Sequence, residues 1–191
     1  PSVPAKSVTE FIDLAKNEPG KLHYASSGPG TPNHMACELF KAMCQPDIVH
    51  VPHKASGDAR NSVVSGTVQM MFDAVTTMTE LAKGGQVRAL ATTGLKRSEL
   101  TPDLPTVAET VPGYEATIWL GIMAPKGTPK EVITFLNNHI NKVISKPEVK
   151  EAWLKQGAIP LVKTPEEFDA YLQKDIEKWA NVVKVSGAKI Q

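Results

Sequence analysis

Tyr24-Ala25-Ser26-Ser27-Gly28-Pro29-Gly30-Thr31-Pro32-Asn33-His34 is the stretch that decides the fold of this chain. An apolar segment (21–25) leads into a turn of small residues, and Pro32 stands where a following helix would begin, so strand, turn and helix are predicted in succession. Glycine lets backbone N–H groups approach a ligand, and the first N–H groups of a helix are unpaired and partly positive. The stretch is either an ordinary turn or a site for a carboxylate or phosphate. It matches neither nucleotide-binding motif, GxxxxGK[ST] or GxGxxG.

Short apolar segments and helical patterns alternate on both sides of this stretch. Ser7-Val8-Thr9-Glu10 is a capping box that predicts a first helix. Further strands are predicted at 48–51, 68–72 and 87–92, and further helices at 57–65 and 78–83. This alternation predicts βαβ units and a mainly parallel sheet, which is an α/β fold.

The pattern changes after residue 113. Residues 114–124 are predicted to form a long strand and 159–162 a short one, and helices are predicted at 128–145, at 147–156 and from Thr164 to a stop at Gly187. Since these amphipathic helices have few strands to cover, we expect two domains. Residues 1–118 would be an α/β domain, and residues 119–191 a mostly helical one.

Composition excludes several classes of partner. The 191 residues carry a formal net charge of +1 with no basic block, which argues against nucleic acid. No apolar run is long enough to span a membrane. Cys37 and Cys44 lie on one predicted helix, about 10 Å apart, and are expected to be free thiols. The chain begins at Pro1 with neither an initiating Met nor a signal peptide, and we expect that processing or truncation has removed a preceding segment.

Two further strand ends carry polar groups. Lys54-Ala55-Ser56-Gly57 follows one predicted strand and offers a second corner suited to an anion. Asp73 and Ala74 follow another, where Asp73 either caps the next helix or accepts a hydrogen bond from a ligand. Because the carboxyl ends of parallel strands meet at one edge of a sheet, we expect a small-molecule cleft there.

The histidines and cysteines raise two other functional hypotheses, a metal site and a nucleophile pair. His50 and His53 would point their rings in different directions, so no metal site is predicted and His50 is expected to pack in its strand. Cys37 with His34 or His50 would make a nucleophile pair for a hydrolase acting on a carboxylate ester or amide. The alternative, a small core thiol, is favoured because apolar residues surround Cys37 in the sequence.

Ordered segments along essentially the whole chain resemble one family, the substrate-binding proteins of bacterial tripartite tricarboxylate transporters, also called the Bug family. The segments that carry the resemblance are Gly20–Gly28, His34, Glu38–Lys41, His50–Pro52, Met71–Asp73, Arg88–Ala91, Leu104–Glu109, Pro112–Glu115, Trp119 and Ala124–Pro129.

The resemblance implies an extracytoplasmic, periplasmic binding protein of the type II fold, in which two α/β lobes close on a small organic carboxylate. It implies no catalysis and no cofactor, and the membrane subunits of a transporter as partners. Carried over to this sequence, the ligand-binding residues are Ser26, Ser27, Gly28, Gly30, Thr31, Asn33, His34, Lys54, Ala55, Ser56, Asp73 and Ala74. Dicarboxylates, tricarboxylates, acidic amino acids and aromatic carboxylates all remain open as ligands.

Two departures from the family pattern change the expectation. His53-Lys54-Ala55 stands where members commonly have Tyr-Lys-Gly, which puts ligand preference at that corner in doubt. The Gly-rich opening of the first lobe is also missing, so we expect residues 1–118 to be one complete lobe and 119–191 the helical C-terminal part of the other. Helices left uncovered in this way would favour a homodimer, or a dimeric interaction module derived from a binding protein.

Overall fold

The chain folds into two compact units. The computed structural model describes residues 1–186, so the predicted helix stop at Gly187 lies outside the described residues. The N-terminal unit contains Pro1–Thr117 and, from Ala180, the end of the last helix, and the C-terminal unit contains Ile118–Trp179. No helix within residues 1–186 has the length and apolar character needed to cross a membrane.

Helices are the main regular elements of the described chain, and they follow the predicted order. The elements in sequence are α1 (Val8–Asn17), β1 (Leu22–Ser26), α2 (Pro32–Cys44), β2 (Ile48–Pro52), α3 (Ser56–Val64), α4 (Val75–Lys83), a 3₁₀ turn (Val107–Glu109), α5 (Lys130–Ile144), α6 (Pro147–Lys155) and α7 (Pro165–Ser186).

The pairing of backbone segments in the N-terminal unit is parallel. Strands β1 and β2 form a two-stranded parallel sheet whose register runs from Leu22 opposite Ile48 to Ser26 opposite Pro52. Met70 adds a parallel bridge to Tyr24, and a second parallel bridge joins two segments further along the chain. The α/β class and the parallel arrangement predicted from the alternation are therefore confirmed.

Four predicted strands do not form, at 68–72, 87–92, 114–124 and 159–162. Met70 does reach β1, since its carbonyl accepts the Ala25 N–H at 2.8 Å, but the pairing stops at that bridge. The backbone groups of 89–91 have no hydrogen-bond partner within residues 1–186. An apolar run indicates that a segment tends to be buried, but a strand also needs a neighbour to complete its ladder.

An apolar cavity of about 560 Å³ lies between two of these segments in the N-terminal unit. Residues 68–73 form one wall and 87–93 another, and α1, α4, residues 100–104 and the chain start contribute much of the remaining lining. Thr92 is buried, and its hydroxyl has no hydrogen-bond partner in the described part of the chain. The two extended segments therefore stand apart across this space and do not join the sheet.

Three aromatic rings form the centre of the core beside α2. Phe40 packs edge-on against Phe72 and Tyr114 at 6.0 and 6.2 Å, and those two rings stack on each other at 5.9 Å. The Tyr114 hydroxyl donates to the carbonyl of Ala36 at 2.9 Å, so this large ring is buried with its polar end satisfied. The cluster holds α2 against the segment that precedes Asp73.

In the C-terminal unit, one indole organises the packing around α7. Trp119 donates its Nε1–H to Asp175 at 2.8 Å and meets the rings of Phe168 and Tyr171 edge-on. Many large apolar side chains of this unit nevertheless remain between 40% and 75% exposed, namely Val132, Phe135, Leu136, Val143, Ile159, Leu161, Val162 and Ile176. The helices of this unit thus present uncovered apolar faces, as the sequence pattern suggested.

Replacing Phe40 by Ala should lower the free energy of unfolding by about 3–5 kcal/mol, because the ring is 2% exposed and its loss leaves a cavity. Phe135→Ala is the matched control, since that ring is 60% exposed, and it should cost less than about 1 kcal/mol. Urea unfolding followed by circular dichroism measures both. Equal effects of the two substitutions would contradict the assignment of the core.

Candidate functional site

The ends of β1 and β2 bring two predicted corners together. The strands are parallel and in register to their last residues, so the chain leaves both at the same edge of the sheet. The His53 N–H donates to the carbonyl of Ser26 at 2.9 Å, which ties the exit of β2 to the start of the Gly-rich turn. We call residues 26–31 the binding turn. It lies beside the corner formed by residues 53–56.

The binding turn is held by its own polar groups. Ser26 is fully buried, and its hydroxyl accepts the Gly28 N–H at 3.1 Å and lies 2.6 Å from Nε2 of His50. The Thr31 hydroxyl donates to the carbonyl of Gly28 at 2.7 Å. Gly28 has a φ of +122°, which side-chain-bearing residues rarely adopt, so this position requires glycine. These hydrogen bonds and the Gly28 conformation hold the backbone of the binding turn in one arrangement.

At the start of α2, two predicted ligand side chains are occupied by the protein itself. Asn33 donates to the carbonyl of Phe72 at 2.6 Å and accepts from the Ser27 hydroxyl at 2.8 Å. Nδ1 of His34 accepts the Gly30 N–H at 3.1 Å. What remains for a ligand is the backbone, because the N–H groups of Asn33 and His34 lie in the first helical turn, where no intrahelical acceptor exists.

The corner after β2 supplies a second helix N-terminus. Helix α3 begins at Ser56 with Ala55 in the N-cap position, and no side chain caps it. Lys54 and Ala55 are exposed, and Ser56 is half-buried. The first N–H groups of α3 and the ammonium group of Lys54 therefore face solvent at this corner, an arrangement that suits an anion.

Asp73 does not act as the helix cap that the sequence allowed. Ala74 is the N-cap residue of α4, and one Asp73 oxygen accepts the N–H of Ala74 at 2.8 Å. Its other oxygen lies 2.6 Å from Nε of Arg60, and the Asp73 side chain is 8% exposed. Sequence reasoning missed Arg60, which lies inside α3 with no motif around it. The carboxylate is thus compensated by a neighbouring guanidinium group.

Contacts between side chains and backbone bring the three corners together. The Ser26–His53 bond joins the binding turn to the exit of β2, and Asn33 joins α2 to Phe72, directly before Asp73. Arg60 joins α3 to Asp73. The N-termini of α2, α3 and α4 therefore gather at one edge, each contributing unpaired N–H groups and the positive end of a helix dipole.

A buried polar layer lies beneath the binding turn. The Tyr24 hydroxyl donates to Glu38, which also accepts from Lys41 at 3.2 Å. Burial lowers the pKa of His50 to about 4, with a further decrease from the nearby His34 ring. Burial also lowers the pKa of His34, although Glu38 acts in the opposite direction. Both imidazoles are therefore uncharged at neutral pH.

Sequence reasoning placed His50 in its strand but did not find this network. The one available signal was the placement of charged and titratable residues on the otherwise apolar face of α2. Glu38 follows His34 by four residues and precedes Lys41 by three, so helical spacing puts all three on one face. Glu38 is only 6% exposed, which a carboxylate tolerates when it is paired and hydrogen-bonded.

Cys37 is a core thiol. It is fully buried, and burial raises its pKa well above the ordinary value, whereas a nucleophile needs an accessible thiolate. Cys37 and Cys44 are both free, as predicted. Within residues 1–186 no group of three or more His, Cys, Asp or Glu side chains is arranged to hold a metal ion.

The apolar cavity of the N-terminal unit is a different place from the edge described above. Of the predicted ligand-binding residues, only Asp73 lines it. Its walls are mostly methyl, methylene and ring carbons, whereas the edge collects backbone donors and a lysine. A carboxylate needs the directed donors that the edge collects, so the edge is the candidate site.

The family is decided by comparison with known sequences. The profile of the family described as "Tripartite tricarboxylate transporter family receptor" matches residues 1–188. The chain belongs to this family. Among curated relatives, a protein from Pseudomonas sp. strain P51, encoded between tcbD and tcbE, is 38% identical over 95% of this chain. BugT of Bordetella pertussis is 34% identical over 100% of this chain. The chain spans 56% and 59% of these relatives.

Solved structures of receptor-type proteins share the fold. R. palustris Rpa4515 with adipate is 33% identical with a TM-score of 0.86, over 98% of this chain and 63% of that one. The periplasmic binding protein BugD is 30% identical with a TM-score of 0.79, over 100% and 64%. MatC of Rhodopseudomonas palustris with bound malate is 27% identical with a TM-score of 0.75, over 94% and 63%. The periplasmic-binding-protein fold expected from the sequence is confirmed.

The ion pair between Arg60 and Asp73 should contribute measurably to the stability of the site. We expect Arg60→Gln to lower the free energy of unfolding by about 1–3 kcal/mol, because it leaves a nearly buried carboxylate uncompensated. Asp73→Asn should recover part of this loss in the double variant, Arg60→Gln with Asp73→Asn. Urea unfolding of both single variants and the double variant gives the coupling free energy.

The pair Lys83–Glu80 is the control for that cycle, since its side chains are 69% and 76% exposed. Its coupling free energy should be about 0.2–0.5 kcal/mol. A coupling between Arg60 and Asp73 no larger than this value would show that the buried pair does not hold α3 to the start of α4.

Proposed function

We propose that this chain acts in a periplasmic solute-binding protein that captures a small organic carboxylate for a transporter of the tripartite tricarboxylate type. The observation that carries the proposal is the gathering of three helix N-termini and a Gly-rich turn at one edge of a parallel sheet. Such an edge supplies directed N–H donors and positive potential, which a carboxylate requires and an uncharged amide does not. Family membership and the adipate- and malate-bound neighbours support the same class of ligand.

Within this proposal the backbone performs most of the recognition. The N–H groups of Ser27, Asn33 and His34 would donate to one carboxylate, and the ammonium group of Lys54 with the start of α3 would receive a second. Asp73, held by Arg60, would orient a hydroxyl group or a water molecule. The full proposed ligand set is Ser26, Ser27, Gly28, Gly30, Thr31, Asn33, His34, Lys54, Ala55, Ser56, Asp73 and Ala74.

The two-lobe mechanism is also part of the proposal. Residues 1–118 would be the second lobe of the binding protein, and residues 119–191 the helical C-terminal part of the first. Closure of two lobes on a ligand creates a shape that membrane subunits can distinguish from the open form. The family supports these partners, and recognition of this kind needs no chemical change in the ligand.

A panel of dicarboxylates tests the ligand class. Adipate and malate, each at about a hundred times its dissociation constant, should stabilise the chain by about 2.7 kcal/mol and raise its melting temperature by about 5–10 °C. The corresponding diamides should have no effect. Differential scanning fluorimetry measures the shift, and isothermal titration calorimetry gives the affinity.

Lys54→Gln removes the proposed second contact and should weaken binding of a dicarboxylate about tenfold, as loss of one charge-assisted hydrogen bond predicts. Lys126→Gln, an exposed lysine in the C-terminal unit, is the control and should bind like the unmodified chain. Equal stabilisation by the acids and their diamides, or no response to any acid, would contradict the proposal.

A second candidate role is self-association. The exposed apolar side chains of α5 and its neighbours in the C-terminal unit favour it, among them Phe135 at 60% and Ile159 at 72% exposure. We expect a concentration-dependent dimer in sedimentation velocity, weakened by Phe135→Asp. Lys130→Asp, a charge change at the start of α5, is the control. A monomer at all concentrations, with slow hydrogen exchange in α5–α7, would contradict self-association.

A further inference from the structure

Three rings from three different elements are stacked directly below the binding turn. Tyr24 comes from β1, His34 from α2 and His50 from β2. The centroids of Tyr24 and His50 are 4.7 Å apart with 15° between their planes, and those of His34 and His50 are 4.2 Å apart with 20° between them. The two imidazoles therefore form a face-to-face pair inside the unit.

Each imidazole also holds one part of the binding turn. Nδ1 of His34 accepts the Gly30 N–H, and this bond requires that Nδ1 carries no proton, so the neutral ring is protonated on Nε2. Nε2 of His50 lies 2.6 Å from the Ser26 hydroxyl, whose oxygen in turn accepts the Gly28 N–H. The orientations of two glycine amides thus depend, directly or through one hydroxyl, on these rings.

We infer that His34 and His50 are positioning residues whose uncharged rings hold the binding turn in its anion-binding geometry, so that acidification rearranges the turn. The part of this inference that concerns the turn stands on the hydrogen bonds above. Its consequence for ligand affinity rests on the proposed function.

The electrostatic surroundings of the pair oppose charge on both rings. Two imidazolium rings stacked at 4.2 Å would repel each other, and burial removes the water that would stabilise either one. From α2, the Lys41 ammonium group opposes protonation, while the Glu38 carboxylate, 3.9 Å from Nε2 of His34, favours it.

Other titratable groups face the pair from the neighbouring elements. His53, after β2, adds to the lowering of the pKa of His50. Tyr24 and Cys37 remain neutral, because burial raises the pKa of each. Since the pKa of His34 lies below the ordinary 6.5 and that of His50 is about 4, both rings are expected to gain a proton only below about pH 6.5.

Protonation has a direct steric and electrostatic effect on the turn. A proton on Nδ1 of His34 would face the Gly30 N–H, turning an acceptor into a second donor and breaking that bond. The neutral tautomer of His50 decides whether Nε2 accepts from or donates to the Ser26 hydroxyl, 2.6 Å away. In the charged ring Nε2 is always a donor, and the hydroxyl then donates to the Gly28 carbonyl at 3.2 Å. The Gly30 amide would lose its acceptor, and the Ser26 oxygen that accepts the Gly28 N–H would also accept from the charged His50 ring.

Nuclear magnetic resonance of the uniformly ¹⁵N-labelled chain tests this inference without any ligand. Between about pH 7.5 and pH 3, the amide resonances of Gly28 and Gly30 should shift with the same midpoints as the ring resonances of His50 and His34. The amide resonance of Gly85, which follows α4, is the reference. Gly28 and Gly30 amides that do not follow the histidine titrations would overturn the inference.

A double variant separates positioning from simple burial. Asn at position 34 places an acceptor where Nδ1 was, and Gln at position 50 places an amide where Nε2 was, so His34→Asn with His50→Gln keeps the bonds but cannot titrate. In this variant the Gly28 and Gly30 resonances should lose their pH dependence. The His139→Gln variant, altered at an exposed position, should titrate like the unmodified chain. Persistence of the glycine titration in the double variant would contradict the inference. If that variant does not fold, the comparison of glycine and histidine midpoints in the unmodified chain decides the inference.

Adipate supplies the affinity readout. At a given pH adipate has the same protonation state with the unmodified chain and with the double variant. The ratio of the two dissociation constants therefore reports only changes in the protein. The unmodified chain should lose affinity relative to the double variant as the pH falls, and a constant ratio would overturn the affinity consequence. If neither protein binds adipate at neutral pH, the carboxylate proposal fails for this ligand while the glycine titration still decides the role of the histidines.

Discussion

The parallel pairing of β1 with β2 is the constraint on which the candidate site depends. Because both strands run in the same direction and end in register at Ser26 and Pro52, the turn that follows one and the corner that follows the other must lie side by side. The bond from His53 to Ser26 then fixes their separation. Helices α2 and α3 start from these two points, so their positive ends meet at the same edge.

Polar groups at this edge fall into two layers with different tasks. The side chains of Ser26, Asn33 and His34 are committed to holding the chain, and the backbone N–H groups of the first helical turns are left for a ligand. Recognition by backbone donors depends on the position of the turn and little on side-chain chemistry. In the proposed function this division would let one backbone arrangement accept different carboxylates, with the buried layer of Tyr24, Glu38 and the histidine pair supporting it.

Much of the backbone of the candidate site was predictable because local rules govern it. The Pro and Gly positions around the binding turn, the helix start at Pro32 and the alternation of elements are set by backbone sterics and hydrophobic period. The pairing of Asp73 with Arg60 was not predictable, since the two lie on separate elements and no motif joins them. The strands expected at 68–72 and 87–92 also failed, because strand formation needs a partner that hydrophobicity alone does not name.

By itself the sequence determined the order of the elements, the parallel α/β class, the Gly-rich turn at residues 26–31 and membership in a family of transporter receptors. These follow from short-range preferences and from matching residues in order. Only the tertiary structure decided which polar side chains the protein keeps for itself, which carboxylate is neutralised, and that His34 and His50 stack beneath the turn. The reason is physical: hydrogen bonds, ion pairs and burial depend on distances between residues far apart in the chain, and only folding sets those distances.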